Sequence, residues 1–226
     1  GASLTLTGGP GAMTSYSWSG PNSYSNATQS PTVSASATTA MAGTYTITIT
    51  NGNGCTDTET TTVTVNTIPA NPTAAGITIC SGSTATLTAT APGGSYQWFD
   101  ASSGGTLLNT GASYTTPALS SNTTYYVQTT LSGCTSAGRT GVTVTINPAL
   151  TVSGVTATCL SGDTTYTVTF TINGGNPATY SVSGSGTLTG ASFTSNPIPS
   201  GTPYSFTATD TYNCSQQTVS GNKICN

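Results

Sequence analysis

The sequence contains no histidine, and only seven of its 226 residues carry charge at neutral pH. The bases are Arg139 and Lys223; the acids are Asp57, Glu59, Asp100, Asp163 and Asp210. Charged residues make up 3% of the chain, against roughly 25% in an ordinary domain. So few bases leave no electrostatic footprint for nucleic acid or for an anionic membrane. No run approaches the roughly 20 apolar residues of a membrane span. The missing histidine removes the usual general base and the commonest metal ligand. A glycosidase needs two carboxylates facing one another across a cleft, and these five are scattered. A cysteine nucleophile needs a base, and none is at hand. The expectation is a non-catalytic protein with no cofactor, no nucleic-acid partner and no membrane insertion. The helix formers Glu, Lys, Arg and Met are nearly absent too, with one Glu, one Lys, one Arg and two Met.

What remains is Thr, Ser and Asn with 27 Gly and 12 Pro. β-Branched Thr suits strands, and Gly and Pro punctuate the chain at short intervals. Period-two alternation is clearest at Gly43–Thr50, where Tyr45, Ile47 and Ile49 share one face and Thr44, Thr46 and Thr48 the other. A turn at Asn51–Cys55 and a returning strand at Thr60–Val65 complete a hairpin. The same plan recurs at Thr123–Thr129, Leu131–Cys134 and Thr140–Ile146, and again at Tyr204–Thr209, Asp210–Cys214 and Val219–Ile224. Strands carrying tryptophan stand earlier, at Ser15–Ser19 and Ser95–Phe99; in the third stretch Val182 takes that place. About seven short strands in each stretch of ~75 residues, with turn signals every 8–12, predict antiparallel β-sandwiches. The boundaries fall at 1–67, 68–147 and 148–226, with Pro-containing junctions at Asn66–Pro72 and Asn147–Ala149. Trp18 and Trp98 are expected in the cores, as the buried strand tryptophan of sandwiches is.

The chain's two ends read as one motif when joined. Ile224-Cys225-Asn226 followed by Gly1-Ala2-Ser3-Leu4-Thr5 parallels Ile79-Cys80-Ser81-Gly82-Ser83-Thr84-Ala85-Thr86, sharing I-C-x-G and the alternation after it. The expectation is one period of a longer repeating array, in which residues 219–226 of a preceding repeat supply the first strand and cysteine of the first domain. Six cysteines with long spacings suggest disulfides in an oxidising compartment rather than a metal site. Their places in the repeat predict Cys80–Cys134 and Cys159–Cys214 within the chain, and Cys55 with Cys225 of an adjacent repeat. A Cys55–Cys225 bond within one chain, or two free thiols, are the alternatives.

Other residues have a bland reading beside a sharper one. Asp57 and Glu59 share a strand face and read as solvated charges guarding an edge; Lys223 reads the same way rather than as an isopeptide donor. The Thr-x-Thr rows read as solvent-facing sheet rather than ice-binding arrays, because sandwich sheets twist. Tyr24, Tyr114, Tyr125 and Tyr212 are candidate stacking platforms for a sugar, against the commoner role of strand tyrosine as sheet filling.

Several motifs are similar to those of the immunoglobulin-like repeats of giant cell-surface and gliding-type adhesins of Bacteroidetes, substrates of type IX secretion. They are Ile79 to Leu87, Ser17 to Asn22, Gly43 to Thr50 and Gly54-Cys55, with Tyr96–Phe99 and Thr124–Val127 in the second stretch. The resemblance implies an all-β tandem array of three Ig-like antiparallel β-sandwich domains. It implies export to the bacterial cell surface and service as a filament or adhesin stalk whose partners are further copies of itself, with surface glycans as the alternative. By resemblance also, Asp163-Thr164-Thr165 matches a short D-S/T-x acceptor, which makes Thr164 a candidate glycosylation site.

Overall fold

In the computed structural model the described residues are all but Pro92 and Asp163; the turn expected at Ala91–Gly94 and the glycosylation motif fall partly on these two and to that extent lie outside the described residues. The fold is all-β, as the alternation predicts. Three single-turn 3-10 segments are present, and no α-helix occurs among the described residues.

The strands fall into three sets that share no ladder among the described residues. The first set holds β1 (Leu4–Thr5), β2 (Ser15–Gly20), β3 (Tyr24–Asn26), β4 (Thr32–Ser34), β5 (Gly43–Thr50) and β6 (Thr56–Val63). They form a β1-β4 pair facing a β3-β2-β5-β6 sheet. The second set holds β7 (Thr73–Ala74), β8 (Ile77–Cys80), β9 (Thr86–Thr90), β10 (Ser95–Phe99), β11 (Leu107–Thr110), β12 (Ser113–Thr115), β13 (Thr123–Leu131), β14 (Cys134–Thr135) and β15 (Thr140–Asn147). Its sheets run β11-β10-β13-β15-β8 and β12-β9-β7. The third holds β16 (Thr151–Cys159), β17 (Thr165–Asn173), β18 (Ser181–Val182), β19 (Gly186–Thr189), β20 (Ser192–Ser195), β21 (Ile198–Pro199), β22 (Tyr204–Thr209) and β23 (Gln217–Gly221), in sheets β16-β17-β20-β19 and β18-β22-β23. By proximity the chain divides into two compact units: Gly1–Ala70 with the hairpin tip Thr130–Ala137, and Asn71–Thr129 with Gly138–Asn226.

Alternation decides what is buried. In β5, Tyr45 and Ile47 point inward against Trp18 and Leu6, while Thr46 and Thr48 point out. In the second set Leu87, Trp98, Tyr125, Val127, Val142 and Val144 form the core between the two sheets. In the third, Tyr166, Val168, Phe170 and Ile172 of β17 pack on Phe193 and Phe206. Trp18 and Trp98 are both buried and both satisfied: Nε1 donates to the carbonyl of Gln29 (3.2 Å) and of Gly111 (3.0 Å), respectively. Buried indoles need such a partner, because an unpaired N–H in a core costs about 1–3 kcal/mol.

Some strand limits differ from the sequence pattern. The returning strand of the first hairpin starts earlier and ends sooner, at Thr56–Val63. The last strand stops at Gly221 rather than Ile224, because the residues beyond it are held elsewhere, as described below. One ladder is parallel: β8 runs alongside the end of β15, with Ile77 opposite Val144 and Cys80 opposite Asn147. The first set has no counterpart of β7 or β8 among the described residues, and its core is correspondingly smaller.

Candidate functional site: a disulfide-locked junction

The parallel direction of β8 fixes where its cysteine goes. Cys80 lies level with Asn147, the last residue of β15. The β13–β15 hairpin leaves from the other end of β15, at Thr140. Eight residues of strand separate those ends, roughly 25 Å at ~3.3 Å per residue. A disulfide spans at most about 7 Å between Cα atoms. The expected Cys80–Cys134 bond is therefore corrected: Cys80 bonds Cys214, with Cα atoms 5.2 Å apart.

Cys214 is presented by the turn after β22. Asn213 takes a left-handed conformation (φ 50°) and donates its N–H to Asp210 Oδ1 at 2.9 Å. Asp210 Oδ2 accepts from Asn147 Nδ2 and from the Asn176 N–H, each at 2.8 Å. Asn147 Nδ2 also lies 3.6 Å from Cys214 Sγ. Beside them Leu150 is fully buried, and its N–H donates to Ser215 Oγ at 2.7 Å. The junction between the second and third strand sets is thus a disulfide flanked by a buried carboxylate that only amides hold. Burial pushes the Asp210 carboxyl upward, but hydrogen bonds from Asn147 and from the N–H groups of Asn176, Asn213 and Tyr212 outweigh it. Asp210 is consequently held below its ordinary value of 3.8.

The second bond joins Cys159 to Cys225, with Cα atoms 5.8 Å apart. This corrects the expected Cys159–Cys214 pairing for the same reason of strand polarity. Cys159 ends β16, whereas Cys214 sits by Leu150 at its start, nine residues away. Cys225, expected to bond Cys55 of a neighbouring repeat, is held by its own chain. Its N–H donates to Ser200 Oγ (2.9 Å), and Lys223 O accepts from the Gly201 N–H (2.8 Å). These contacts draw the tail off the end of β23. Cys55 and Cys134 carry no disulfide; Cys55 is exposed and Cys134 half-buried.

The aromatic candidates separate. Tyr114 is buried, its ring 6.0 Å from Trp98 and 5.1 Å from Tyr125, which is buried as well. Tyr24 packs edge-on against Tyr45 at 5.6 Å. Burial pushes the hydroxyls of Tyr24, Tyr114 and Tyr125 upward in pKa. Tyr114 and Tyr125 offer no free face to a sugar, a correction with a legible cause for Tyr114, which sits between Ser113 and Thr115 on β12 and so points inward; Tyr24 is half-buried with its ring packed on Tyr45. Tyr212, in the junction turn, is 41% exposed. Thr164 is exposed and its carbonyl accepts from the Ser200 N–H.

Asp57 and Glu59 lie on β6, both exposed. Among the described residues no group of three or more His, Cys, Asp or Glu is placed to hold a metal. Among the described residues no helix is long and apolar enough to cross a membrane. Arg139, to which the sequence assigns no role, is a structural anchor. Its Nε donates to Gln128 Oε1 (3.0 Å), its Nη1 to the carbonyls of Ala101 (2.6 Å) and Gly104 (2.7 Å), and its guanidinium lies 3.4 Å above the Phe99 ring.

Residues 69–148 match the family model of an Ig-like domain described as CHU_C associated, so the second strand set is similar to a domain found in bacterial surface proteins. No curated protein matches the chain. Solved structures that resemble it include extracellular domains 3–5 of Drosophila OTK (11% identity, 100% of this chain and 92% of that one, TM-score 0.40). Another comes from work on host cell surface retention of a 1.5-MDa bacterial ice-binding adhesin (16% identity, 100% and 90%, TM-score 0.39). A third is the set of fibronectin(III)-like modules of Clostridium thermocellum CbhA (12% identity, 65% and 86%, TM-score 0.38). At these scores the likeness is distant.

Proposed function

We propose that the chain is a non-catalytic structural segment of an extracellular bacterial surface protein, a repeat of an adhesin stalk or filament whose neighbours are further copies of itself. The observation that carries the reading is the Cys80–Cys214 bond. It fastens the end of a strand in one Ig-like set to the hairpin tip of the next, as a segment under tension requires. A disulfide closing a 134-residue loop contributes about 5 kcal/mol in the chain-entropy model, and it needs an oxidising compartment to persist. The match of residues 69–148 to an Ig-like domain family supports surface display. The motifs at Ile79–Leu87 and Gly43–Thr50 favour a Bacteroidetes adhesin exported by type IX secretion.

A second reading, a glycan-binding module, rests on the exposed ring of Tyr212. A glycan array probed with the purified chain decides between the two. The structural reading expects no saturable binding. Saturable binding that Tyr212→Ala abolishes would replace it with the glycan reading.

A further inference from the structure

The first strand set is incomplete in one particular place. In the second set, Ile77–Cys80 lie parallel to Val144–Asn147 and close that edge. The corresponding residues of the first set, Val63–Asn66, begin at the last residue of β6, and Thr64–Asn66 pair with no strand among the described residues. A cavity of about 410 Å³ opens beside them, lined by Val63, Val65, Ile68, Gly1 and Cys134 among others. Ile68 is 59% exposed.

The surroundings repeat those of the locked junction. Asn147 ends β15, and its Nδ2 lies 3.6 Å from Cys214 Sγ. Asn66 stands at the matching place: its carbonyl lies 3.9 Å from Cys134 Sγ, and its Nδ2 donates to Ser132 O at 2.8 Å. Each of these cysteines follows a residue in the left-handed region, Asn213 (φ 50°) and Gly133 (φ 79°). Cys214 is bonded to the cysteine that ends the parallel strand. Cys134 has the same setting, and the strand is missing.

The chain carries a segment that fits this vacancy. Gly221-Asn222-Lys223-Ile224-Cys225-Asn226 aligns with Gly76-Ile77-Thr78-Ile79-Cys80-Ser81, and the Gly1 that follows in the joined reading matches Gly82. Ile224 is 66% exposed, an unusual fate for isoleucine. We infer that the edge Val63–Asn66 is a strand-addition site for residues 221–226 of a second copy, with Ile224 entering the cavity and Cys225 bonding Cys134. This rests on the structural-repeat reading above and supplies its contact. Backbone hydrogen bonds to an open sheet edge give affinity, and alternate side chains give specificity.

The covalent step balances without an external oxidant. The Cys134 thiolate attacks Cys225 Sγ of the second copy; the Cys134–Cys225 bond forms, the Cys159–Cys225 bond breaks, and Cys159 leaves as thiolate and takes up a proton. In this arrangement Cys225 of one copy stands to Cys134 of the next as Cys80 stands to Cys214.

The test uses the intact 226-residue chain and the synthetic hexapeptide GNKICN in a reduced/oxidised glutathione buffer, with adducts mapped by non-reducing mass spectrometry. Exposure alone would direct the peptide to Cys55. The inference expects Cys134 to be captured at least about tenfold faster than Cys55, and expects a peptide with Asp in place of Ile224 to lose that preference. Concentrated chain alone should form disulfide-linked oligomers containing a Cys134–Cys225 peptide, lost in Cys134→Ser and kept in Cys55→Ser. Equal or faster capture at Cys55, or capture at Cys134 indifferent to the Ile224 change, overturns it. Either failure leaves the Cys80–Cys214 lock, and the structural reading drawn from it, standing; saturable glycan binding would remove that reading whatever the peptide does.

Discussion

Pulling the chain by its two ends should release far less length when it is oxidised than when it is reduced. The two disulfides interlace: Cys159 lies between Cys80 and Cys214 in sequence, and Cys225 lies beyond them. With both bonds intact, the shortest covalent path runs from Gly1 to Cys80, across to Cys214, and on to Asn226. The 134 residues between Cys80 and Cys214 are withheld. At about 3.3–3.6 Å per extended residue, reduction adds roughly 450 Å to the full extension measured by atomic-force or optical-tweezer spectroscopy. The paired variants separate the contributions. In Cys80→Ser/Cys214→Ser only the 66-residue loop closed by Cys159–Cys225 stays withheld, and the gain falls to about 230 Å. In Cys159→Ser/Cys225→Ser the path through Cys80–Cys214 is unchanged, and reduction still adds roughly 450 Å. Two separate loops, as in a pairing of Cys80 with Cys134 and Cys159 with Cys214, would instead leave Cys80→Ser/Cys214→Ser with no bond and no gain on reduction, and Cys159→Ser/Cys225→Ser with a gain from the Cys80–Cys134 loop alone. That outcome, or full extension of the oxidised chain, would refute the lock and the mechanical role built on it.

Three further changes probe the junction and the core. Asp210 is held below its ordinary value of 3.8, so its contribution to stability is complete above about pH 4 and is lost as pH falls through its folded-state value; urea titrations of wild type and Asp210→Asn should converge as pH drops from 5 to 2. Gly175 has φ 55°, and an added Cβ would meet Leu150 Cδ2 at 2.7 Å and Asp210 Oδ2 at 2.8 Å; Gly175→Ala should lower stability by about 1–3 kcal/mol with both disulfides still formed in the non-reducing map. Trp98 is fully buried, and Trp98→Ala should cost about 3–5 kcal/mol by denaturant unfolding.

Strand existence was legible in the sequence because alternation is a local property: Tyr45 and Ile47 between threonines, or Val142 and Val144 in Thr140–Asn147, declare their inward face without knowing their partner. That same rule, applied to Ser113-Tyr114-Thr115, points the tyrosine inward and away from any sugar. Disulfide pairing was not legible, because it depends on strand direction. Six cysteines in repeating places fix which ones are equivalent. Only the parallel run of β8 along β15 carries Cys80 to the far pole, next to the third set and away from its own hairpin. Asn147 and Asp210 escaped notice for a related reason. Their meeting across 63 residues leaves no periodic trace, although a lone Asp before a tight Asn-Cys turn in so charge-poor a chain is the kind of residue that burial must explain.

The same scarcity of charge leads to an expectation about salt. Asp210 is bound by neutral amides, and Arg139 by carbonyls, an amide and an aromatic face. Neither contact depends on a partner charge that counterions can screen. On the exposed faces the cross-strand partners are hydroxyls: Thr48 with Thr58, Thr73 with Thr90, Thr124 with Thr143, Thr156 with Thr169 and Thr207 with Thr218. Such pairs are worth about 0.2–1 kcal/mol each and carry no ionic term. The melting temperature should therefore change by no more than about 1 °C between 10 and 200 mM NaCl, where screening alters most. A fall of several degrees would mean that one of the charged groups is tied to an opposite charge in the folded state, and would sink the argument that hydroxyl and amide pairing replaces ion pairing in this chain.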